Sequence, residues 1–395
     1  MNKIRVAVVY GGRSVEHEVS IISALQAVKN LNAAKYEPVP LYITKEGVWY
    51  TGEALLDLSA YRDVNSLLAK CQKVIFHPNR GAYLVTGAMS GGLFKKPFEA
   101  AIDVVLPVIH GTHGEDGCLQ GLLELSGVPY AGPGVLGGAI GMDKITMKAV
   151  LKEAGIPVPE YHWFYYWQWQ DDPQAVVDMI ARKIPYPMIV KPANLGSSIG
   201  ITKVQDKSQL EDAIDLAGSF ANRILVEQLI TPLREINCAV LGSPEKMEVS
   251  LCEEPFSTDE ILSFRDKYIS AGSKSASGMS GAKRRLPADI PDQLTIKIEE
   301  LSRRTFVATD GYGVCRIDFL MNEETKEIYV NEINTIPGSL SFYLWEPKGK
   351  SFTALLDDLI DLALKRSRRK EKMVFTYASN ILAQGGFKGG KGGKS

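Results

Sequence analysis

Two acidic segments near the carboxyl end of the chain carry side chains that could bind a metal ion. In VCRIDFL, strand alternation places Arg316 and Asp318 on one face, and in IYVNEINTIPG it places Glu332 with Asn334. NEETKE predicts a turn centred on Thr325, and the resulting hairpin sets Asp318 opposite Glu332 and the arginine opposite the asparagine. Opposed carboxylates repel each other unless a cation lies between them, and their hard oxygens suit Mg²⁺. A solvated strand face is the alternative interpretation.

The segment IVKPANLGSSIG has the composition of a phosphate-binding loop. A lysine that ends a strand offers a point charge, and glycines let backbone N–H groups approach a phosphate. The lysine precedes the glycines and GxxxxGK is absent, so this is not a Walker A motif. A plain hairpin turn is the alternative. The residues concerned are Lys191, Gly196, Ser197, Ser198 and Gly200.

Glycine turns after two strand-like runs predict a third site, for a small polar ligand. GGRSVEHEVS follows the first strand, and HGTHGEDGCLQG begins at His110. Gly11 and Gly12 let the backbone approach a ligand, and Glu16 places a carboxylate at the start of the next helix. A dinucleotide-binding fold is the alternative, but GxGxxG is absent.

These segments need elements that bring them together. Strand-like runs at 6–10, 39–43 and 104–109 alternate with helical stretches at 18–30 and 119–126. Such alternation predicts an open α/β sheet whose ligands lie beyond the carboxyl ends of its strands.

Further along, the pattern predicts two more units and a tail. We place the N-terminal unit at 1–143, a central unit at 144–234 and a C-terminal unit at 235–372. The polar, glycine-dotted stretch 264–285 has the length of a functional lid loop. The glycine- and lysine-rich tail, 373–395, is predicted to be disordered.

Composition excludes several classes of partner. The 395 residues carry 45 Lys and Arg against 46 Asp and Glu, a net charge of -1, whereas nucleic-acid-binding domains are usually strongly basic. No apolar run reaches the length of roughly 18 residues that a membrane span needs. MNKIRVAVVYGG lacks the pattern of a signal peptide. We therefore expect a cytoplasmic protein without a nucleic-acid or membrane partner.

Taken in order, the motifs resemble those of the D-alanine–D-alanine ligases, ATP-grasp enzymes that make the terminal dipeptide of bacterial peptidoglycan. The resemblance spans about residues 4–365 and rests on GGRSVEHEVS, HGTHGEDGCLQG, GMDK, VKPANLGSSIG, CRIDFL and NEINTIPG. It implies an α/β and α+β architecture, in which an N-terminal open α/β (pre-ATP-grasp) domain precedes an ATP-grasp fold. It also implies a homodimeric enzyme that uses ATP and two Mg²⁺ or Mn²⁺ ions to ligate two D-alanines through an acyl phosphate.

The resemblance further implies how ATP binds between the central and C-terminal units. Lys144 and Lys191 would bind the phosphates. Glu227 and its strand would hold the adenine, and Glu235 would reach the ribose. Lys267, in the lid loop, would point at the γ-phosphate.

Metal and substrate roles follow from the same resemblance. Asp318, Glu332 and Asn334 match the ligands of the two metal ions. Glu16 matches the residue that holds the ammonium of the first D-alanine, and His110 one near the transferred phosphate.

Closure of the site and the second chemical step involve four further residues by resemblance. Ser197 and Tyr268 match the partners of the glutamate in a hydrogen-bonded triad that closes the site. Arg316 and the backbone N–H of Gly338 would stabilise the tetrahedral oxyanion that forms when the second amine attacks.

The identity of the second substrate stays open. The lid contains none of the five histidines and has Tyr268, which favours an amine as the second nucleophile. PGSLSFYLWEP departs from the family's PG-x-T-S-H-S-L, so either Ser341 or Tyr343 takes the substrate's carboxylate. D-serine is thus an alternative to D-alanine. An inactive nucleotide-binding module is a third interpretation, against which the intact motifs argue.

Overall fold

The computed structural model describes residues 3–81, 83–87, 99–196, 198–256 and 284–377. Within these ranges the chain forms three main sheets with helices packed against them. The expected α/β and α+β architecture is confirmed.

The first sheet has seven strands in the order β6-β5-β4-β3-β2-β1-β7. Strand β1 lies between β2 and β7, is parallel to both and is almost wholly buried, as its continuous apolar run predicts. The four short strands β3 to β6 extend the sheet in antiparallel fashion and were not predicted. Strand bounds are β1 (Ile4–Gly11), β2 (Tyr36–Ile43), β3 (Trp49–Thr51), β4 (Gln72–Phe76), β5 (Leu84–Gly87), β6 (Glu99–Ala101) and β7 (Val104–Pro107).

Two antiparallel four-stranded sheets follow, in the orders β10-β9-β11-β8 and β13-β12-β16-β17. Strands β14 and β15 form a separate two-stranded ribbon. Strand bounds are β8 (Tyr161–Tyr165), β9 (Met188–Pro192), β10 (Thr202–Val204), β11 (Arg223–Gln228), β12 (Leu233–Ser243), β13 (Lys246–Val249), β14 (Glu254–Pro255), β15 (Arg284–Arg285), β16 (Gly313–Asn322) and β17 (Ile328–Asn334).

Helices cover the sheets and connect them. The described α-helices are α1 (His17–Asn30), α2 (Val64–Leu68), α3 (Cys118–Ser126), α4 (Val135–Met142), α5 (Lys144–Glu153), α6 (Tyr166–Asp171), α7 (Pro173–Ala181), α8 (Leu210–Gly218), α9 (Asp292–Ala308) and α10 (Phe352–Lys370). Short 3-10 helices cover Glu53–Leu56, Leu58–Arg62, Lys207–Gln209, Gly338–Leu344 and Glu346–Lys348. In the part of the chain that is described, no helix is both long and apolar enough to cross a membrane.

Asp143 fixes the start of helix α5, which supplies the first site lysine. Its carboxylate accepts the N–H of Thr146 at 2.8 Å, a typical N-cap bond, and pairs with Arg223 on β11. The apolar residues Met147 and Leu151 are buried against the C-terminal sheet. Helix α5 therefore joins the second sheet to the third.

Candidate active site

A cleft lies between the second and third sheets. Its empty volume is about 1150 Å³ with the open mouth included, enough for a nucleotide. Cations and carboxylates share its lining equally, and the rest is largely apolar. The charged residues are Lys144, Lys191, Arg284, Arg316, Glu235, Glu253, Asp318 and Glu332, and the apolar ones include Ile189, Leu229, Ile230, Leu233, Phe319 and Leu320.

The acidic hairpin has the predicted register. Strand β16 pairs with β17 so that Asp318 faces Glu332 and Arg316 faces Asn334. A β-bulge follows, because Phe319 pairs with Val330 and Asn331 is left as an extra, unpaired residue on β17. Asn331 consequently lines the cleft beside Glu332, which strict alternation would not allow.

Asp318 is held by its neighbours on the hairpin. The guanidinium of Arg316 donates two bonds to its carboxylate, at 2.6 and 2.7 Å, and Asn334 donates a third at 3.0 Å. Burial lowers the pKa of Arg316, but the carboxylate outweighs burial and raises that pKa well above its ordinary value. The arginine is therefore a permanent cation facing the site.

The donor set of the hairpin fits a divalent metal ion. Asp318 and Glu332 retain only 14% and 20% side-chain exposure, and each is neutralised by a basic side chain. Within the described ranges, no three His, Cys, Asp or Glu side chains cluster closely enough to hold a metal alone. Two carboxylates and the amide of Asn334 leave the remaining positions to water and phosphate, as Mg²⁺ prefers.

Two lysines approach this acidic end of the cleft. The Nζ of Lys144 lies 3.1 Å from Glu332 and donates to the carbonyl of Leu195 at 2.9 Å. The Nζ of Lys191 donates to the Oδ1 of Asn331 at 3.2 Å. Both lysines are nearly buried, so their charges are directed into the cleft and not into bulk water.

A buried ion-pair network lies behind Lys191. The carboxylate of Glu227, fully inaccessible, is 2.5 Å from Lys191 and 2.8 Å from Lys148. Burial raises the pKa of Glu227, but the two lysines outweigh it and hold that pKa below the ordinary range. For Lys148, burial has the larger effect and lowers its pKa. The Glu227 side chain is thus directed at the two lysines, while the neighbouring Leu229 and Ile230 line the cleft.

Glu16 lies close to the glycine loop that lines the cleft. A Cβ added at Gly196 would be 3.1 Å from the Oε2 of Glu16, and one at Gly111 would be 2.9 Å from it. A side chain at either position would make the Glu16 carboxylate move, so the two glycines let both loops approach it in its present place. The first and second units meet at Glu16, next to Leu195, whose carbonyl accepts a bond from Lys144.

His110 is buried and contacts the turn that carries Gly338, and it is absent from the cleft lining. Its Nδ1 lies 2.8 Å from the carbonyl of Ile336, and its Nε2 lies 3.0 Å from the hydroxyl of Ser23. Burial lowers the pKa of His110 to about 4, so the ring is neutral near neutral pH. Both ring nitrogens are therefore occupied by protein groups.

Glu115, which follows the second glycine turn, joins the same region. Its carboxylate accepts the N–H groups of Gly111 and Ile336 at 2.7 and 2.8 Å. Burial, with a contribution from Glu16, raises the pKa of Glu115 to about 8. This residue links the N-terminal unit to the turn that precedes Gly338.

The two candidates for the second substrate's carboxylate differ in their surroundings. Tyr343 donates its O–H to Glu253 at 3.1 Å, and the guanidinium of Arg284 lies 3.9 Å from its ring centre. Ser341 is fully buried, and among the described residues its Oγ has no hydrogen-bond partner. Of the two hydroxyls, that of Ser341 is therefore the one without a protein partner in the described part of the chain.

Comparison with known proteins identifies the family. The N-terminal profile of the D-ala D-ala ligases matches residues 5–133, and the C-terminal profile matches residues 150–361. The D-alanine–D-alanine ligase of Thermosipho melanesiensis is 38% identical over 379 residues, which cover 96% of this chain and 98% of the relative. That of Acetivibrio thermocellus is 39% identical over 381 residues, covering 92% and 97%. The chain belongs to the D-alanine–D-alanine ligase family.

Solved structures agree with this placement of the ligase. The D-alanine–D-alanine ligase of Coxiella burnetii has a TM-score of 0.78 at 30% identity, covering 94% of this chain and 97% of that one. The D-Ala:D-Ser ligase VanG of Enterococcus faecalis has a TM-score of 0.76 at 32% identity, covering 92% and 100%. The ATP-grasp fold is therefore confirmed.

Lys148 and Asn331 were not predicted from the sequence of the ligase, and three predicted residues lie outside the described part of the chain. Lys148 lies one helical turn after Lys144, so helical spacing would have indicated it. Asn331 could not be predicted to line the cleft, because strand alternation without the bulge places it on the opposite face. Ser197, Lys267 and Tyr268 lie outside the described residues, as does the lid loop apart from Arg284 and Arg285.

Proposed function

We propose that this ligase joins two D-alanines to D-alanyl-D-alanine, at the expense of ATP, for peptidoglycan precursor synthesis. The observation that carries the proposal is the meeting of Lys144 and Lys191 with Asp318 and Glu332 at one end of an apolar cleft. Glu16 lies next to that end, where an amino acid would reach the transferred phosphate. Use of ATP accords with the family.

The apolar part of the cleft suits the adenine, with Leu229 and Ile230 against its face. Glu235, in the same lining, is proposed to reach the ribose. The lysines would then neutralise the phosphates. Glu227 supports this arrangement from behind by holding Lys191 in place.

We propose that Asp318, Glu332 and Asn334 hold two Mg²⁺ or Mn²⁺ ions when nucleotide is bound. The metal supplies charge neutralisation for the phosphoryl group. Arg316 and Lys144, which pair with the carboxylates here, would turn toward phosphate oxygens and developing negative charge.

The first step transfers the γ-phosphoryl group to the first D-alanine. Its ammonium would pair with Glu16, so that a carboxylate oxygen attacks the γ-phosphorus and ADP leaves. The second D-alanine's amine then attacks the acyl carbon, loses a proton and expels phosphate. Arg316 and the Gly338 N–H would stabilise the oxyanion, typically by about 3 kcal/mol for each donor.

Closure protects the acyl phosphate from water. By family resemblance we propose that Ser197 and Tyr268 close the site together with Glu16, and that Lys267 approaches the γ-phosphate. For the second substrate's carboxylate we propose Ser341, because a tyrosine hydroxyl has one proton and Tyr343 donates its proton to Glu253.

The test is release of ADP by purified protein with ATP, Mg²⁺ and D-alanine, with L-alanine and no amino acid as controls. We expect D-alanine-dependent ADP release and one dipeptide per ADP. A mixed reaction with D-serine, resolved by mass spectrometry, should give mainly D-alanyl-D-alanine. Nucleotide binding without turnover for any amino acid would support the inactive module, and a D-alanyl-D-serine product would move the specificity to the alternative.

A further inference from the structure

One buried serine on helix α1 connects that helix to both flanks of the Gly338 turn. Ser23 is 1% exposed. Its Oγ lies 3.0 Å from the Nε2 of His110 and accepts the N–H of Ser339 at 2.9 Å. The other ring nitrogen of His110 lies 2.8 Å from the carbonyl of Ile336. These contacts connect two separate units of the chain.

The directions of these bonds follow from the chemistry of the groups. A carbonyl only accepts, so the Nδ1 of His110 carries the proton and donates it to Ile336. Since the buried ring is neutral, Nε2 is an acceptor, and the O–H of Ser23 must be donated to it. The Ser23 oxygen remains free to accept from Ser339. A single hydroxyl thus satisfies the histidine and the turn together.

The turn itself needs such support. Ser339, Leu340 and Ser341 have φ values of 51°, 52° and 50°, in the left-handed region. L-residues rarely adopt this conformation in succession, and they keep it only where the surroundings fix them. Glu115 adds a bond from the Ile336 N–H at 2.8 Å. Both flanks of Pro337 and Gly338 are therefore held by the N-terminal unit.

Ser23 also has a defined relation to the first substrate site. It lies seven residues after Glu16 in the sequence, close to two turns of helix, and therefore on the same side of α1. Helix α1 and its N-cap residue thus carry both the hydroxyl that supports the oxyanion turn and the carboxylate proposed for the substrate ammonium. Movement of one relative to the other would change the distance between the bound acyl group and its oxyanion donor.

We propose that Ser23 is a positioning residue for the ligation step, acting through His110 and Ser339 to orient the Gly338 N–H toward the oxyanion. This inference rests on the proposed function. Oxyanion donors act only when they are fixed where charge develops. Loss of the hydroxyl should therefore slow turnover and leave ATP binding intact.

The experiment compares Ser23→Ala with wild-type protein for dipeptide formation and for ATP binding by calorimetry. We expect kcat to fall at least about tenfold while the Kd for ATP stays within about twofold. The matched control is Ser126→Ala on helix α3. Ser126 is also fully buried, donates to the Leu123 carbonyl at 2.9 Å and accepts the Val128 N–H at 3.3 Å. Its loss should lower thermal stability and leave kcat near wild type.

The outcomes separate the inference from the proposed function. Wild-type protein that forms no dipeptide contradicts the proposed function. Wild-type activity with an unchanged kcat in Ser23→Ala overturns only the role of Ser23, and so does an equal fall of kcat in the control. Should Ser23→Ala fail to fold, Ser23→Cys keeps the shape of the side chain with a larger terminal atom and weakens both bonds. It is expected to show a lowered kcat at unchanged ATP affinity, and a wild-type kcat there would refute the inference.

Discussion

The buried network of Glu227, Lys148 and Lys191 predicts strong energetic coupling between substitutions. Glu227→Gln removes the only negative charge of the three and leaves Lys148, which is fully inaccessible, with the Asn331 carbonyl at 3.5 Å. Breaking a buried ion pair by removal of one partner costs about 3–5 kcal/mol. We expect a loss of this size in the free energy of unfolding.

The second substitution should restore part of that loss. In Lys148→Met, Glu227 still pairs with Lys191 at 2.5 Å, so we expect a cost of about 1.5–3 kcal/mol for one lost charged hydrogen bond. In the double variant, position 148 holds an uncharged methionine, so the loss of the Glu227 charge leaves no unpaired cation there. The double variant should therefore be more stable than Glu227→Gln alone, by about 1–3 kcal/mol.

Urea titration followed by tryptophan fluorescence measures these free energies. The control is the exposed ion pair of Lys152 and Glu160, whose charged atoms lie 3.6 Å apart. Lys152 is on helix α5, as is Lys148. The two control substitutions, Lys152→Met and Glu160→Gln, should add independently, because exposed ion pairs contribute little. If the buried substitutions also add within about 0.5 kcal/mol, the network does not act as one unit and the reasoning is wrong.

Three further predictions concern metal, pH and substrate. Glu332→Gln should abolish metal-dependent ADP release, whereas Glu327→Gln on the exposed hairpin turn should not, and near-normal turnover in the former would contradict the metal site. Because burial raises the pKa of Glu115 from 4.5 to about 8, its stabilising contribution is complete below pH 4.5 and is lost as pH rises through 8. The melting temperature of Glu115→Gln should consequently fall less between pH 4.5 and 8 than that of wild type. An equal dependence of melting temperature on pH in both proteins would refute the raised pKa of Glu115. Ser341→Ala should raise the KM for the second D-alanine about tenfold or more without changing that for ATP, while an unchanged KM would return the role to Tyr343.

Local pattern was enough to predict much of the site. Alternation and one turn determined the register of the acidic hairpin, because side chains on a strand have a fixed period of two. The strand that carries Lys191 was likewise visible, as an apolar run followed by a glycine-containing loop. These features depend on near neighbours in the sequence.

Other features depend on contacts between distant segments, and sequence pattern does not encode them visibly. The bulge at Asn331 arises from pairing with β16, and it redirects a side chain that alternation would place on the other face. That Glu227 and its strand hold the adenine stays a prediction; the contacts of its carboxylate with Lys148 and Lys191 join three separate elements and were not indicated by local pattern. That His110 lies near the phosphate also stays a prediction; the contacts of its two ring nitrogens with Ser23 and Ile336 depend on segments distant in the sequence.

The most direct test of the proposed chemistry follows the oxygen atoms of the first substrate. D-alanine that carries heavy oxygen in its carboxylate would be ligated with unlabelled ATP, and the released phosphate would be analysed by mass spectrometry. An acyl phosphate at this site predicts that each phosphate contains one heavy oxygen from D-alanine. Dipeptide formed together with unlabelled phosphate would contradict the phosphoryl transfer that the lysines and carboxylates of the cleft are proposed to carry out.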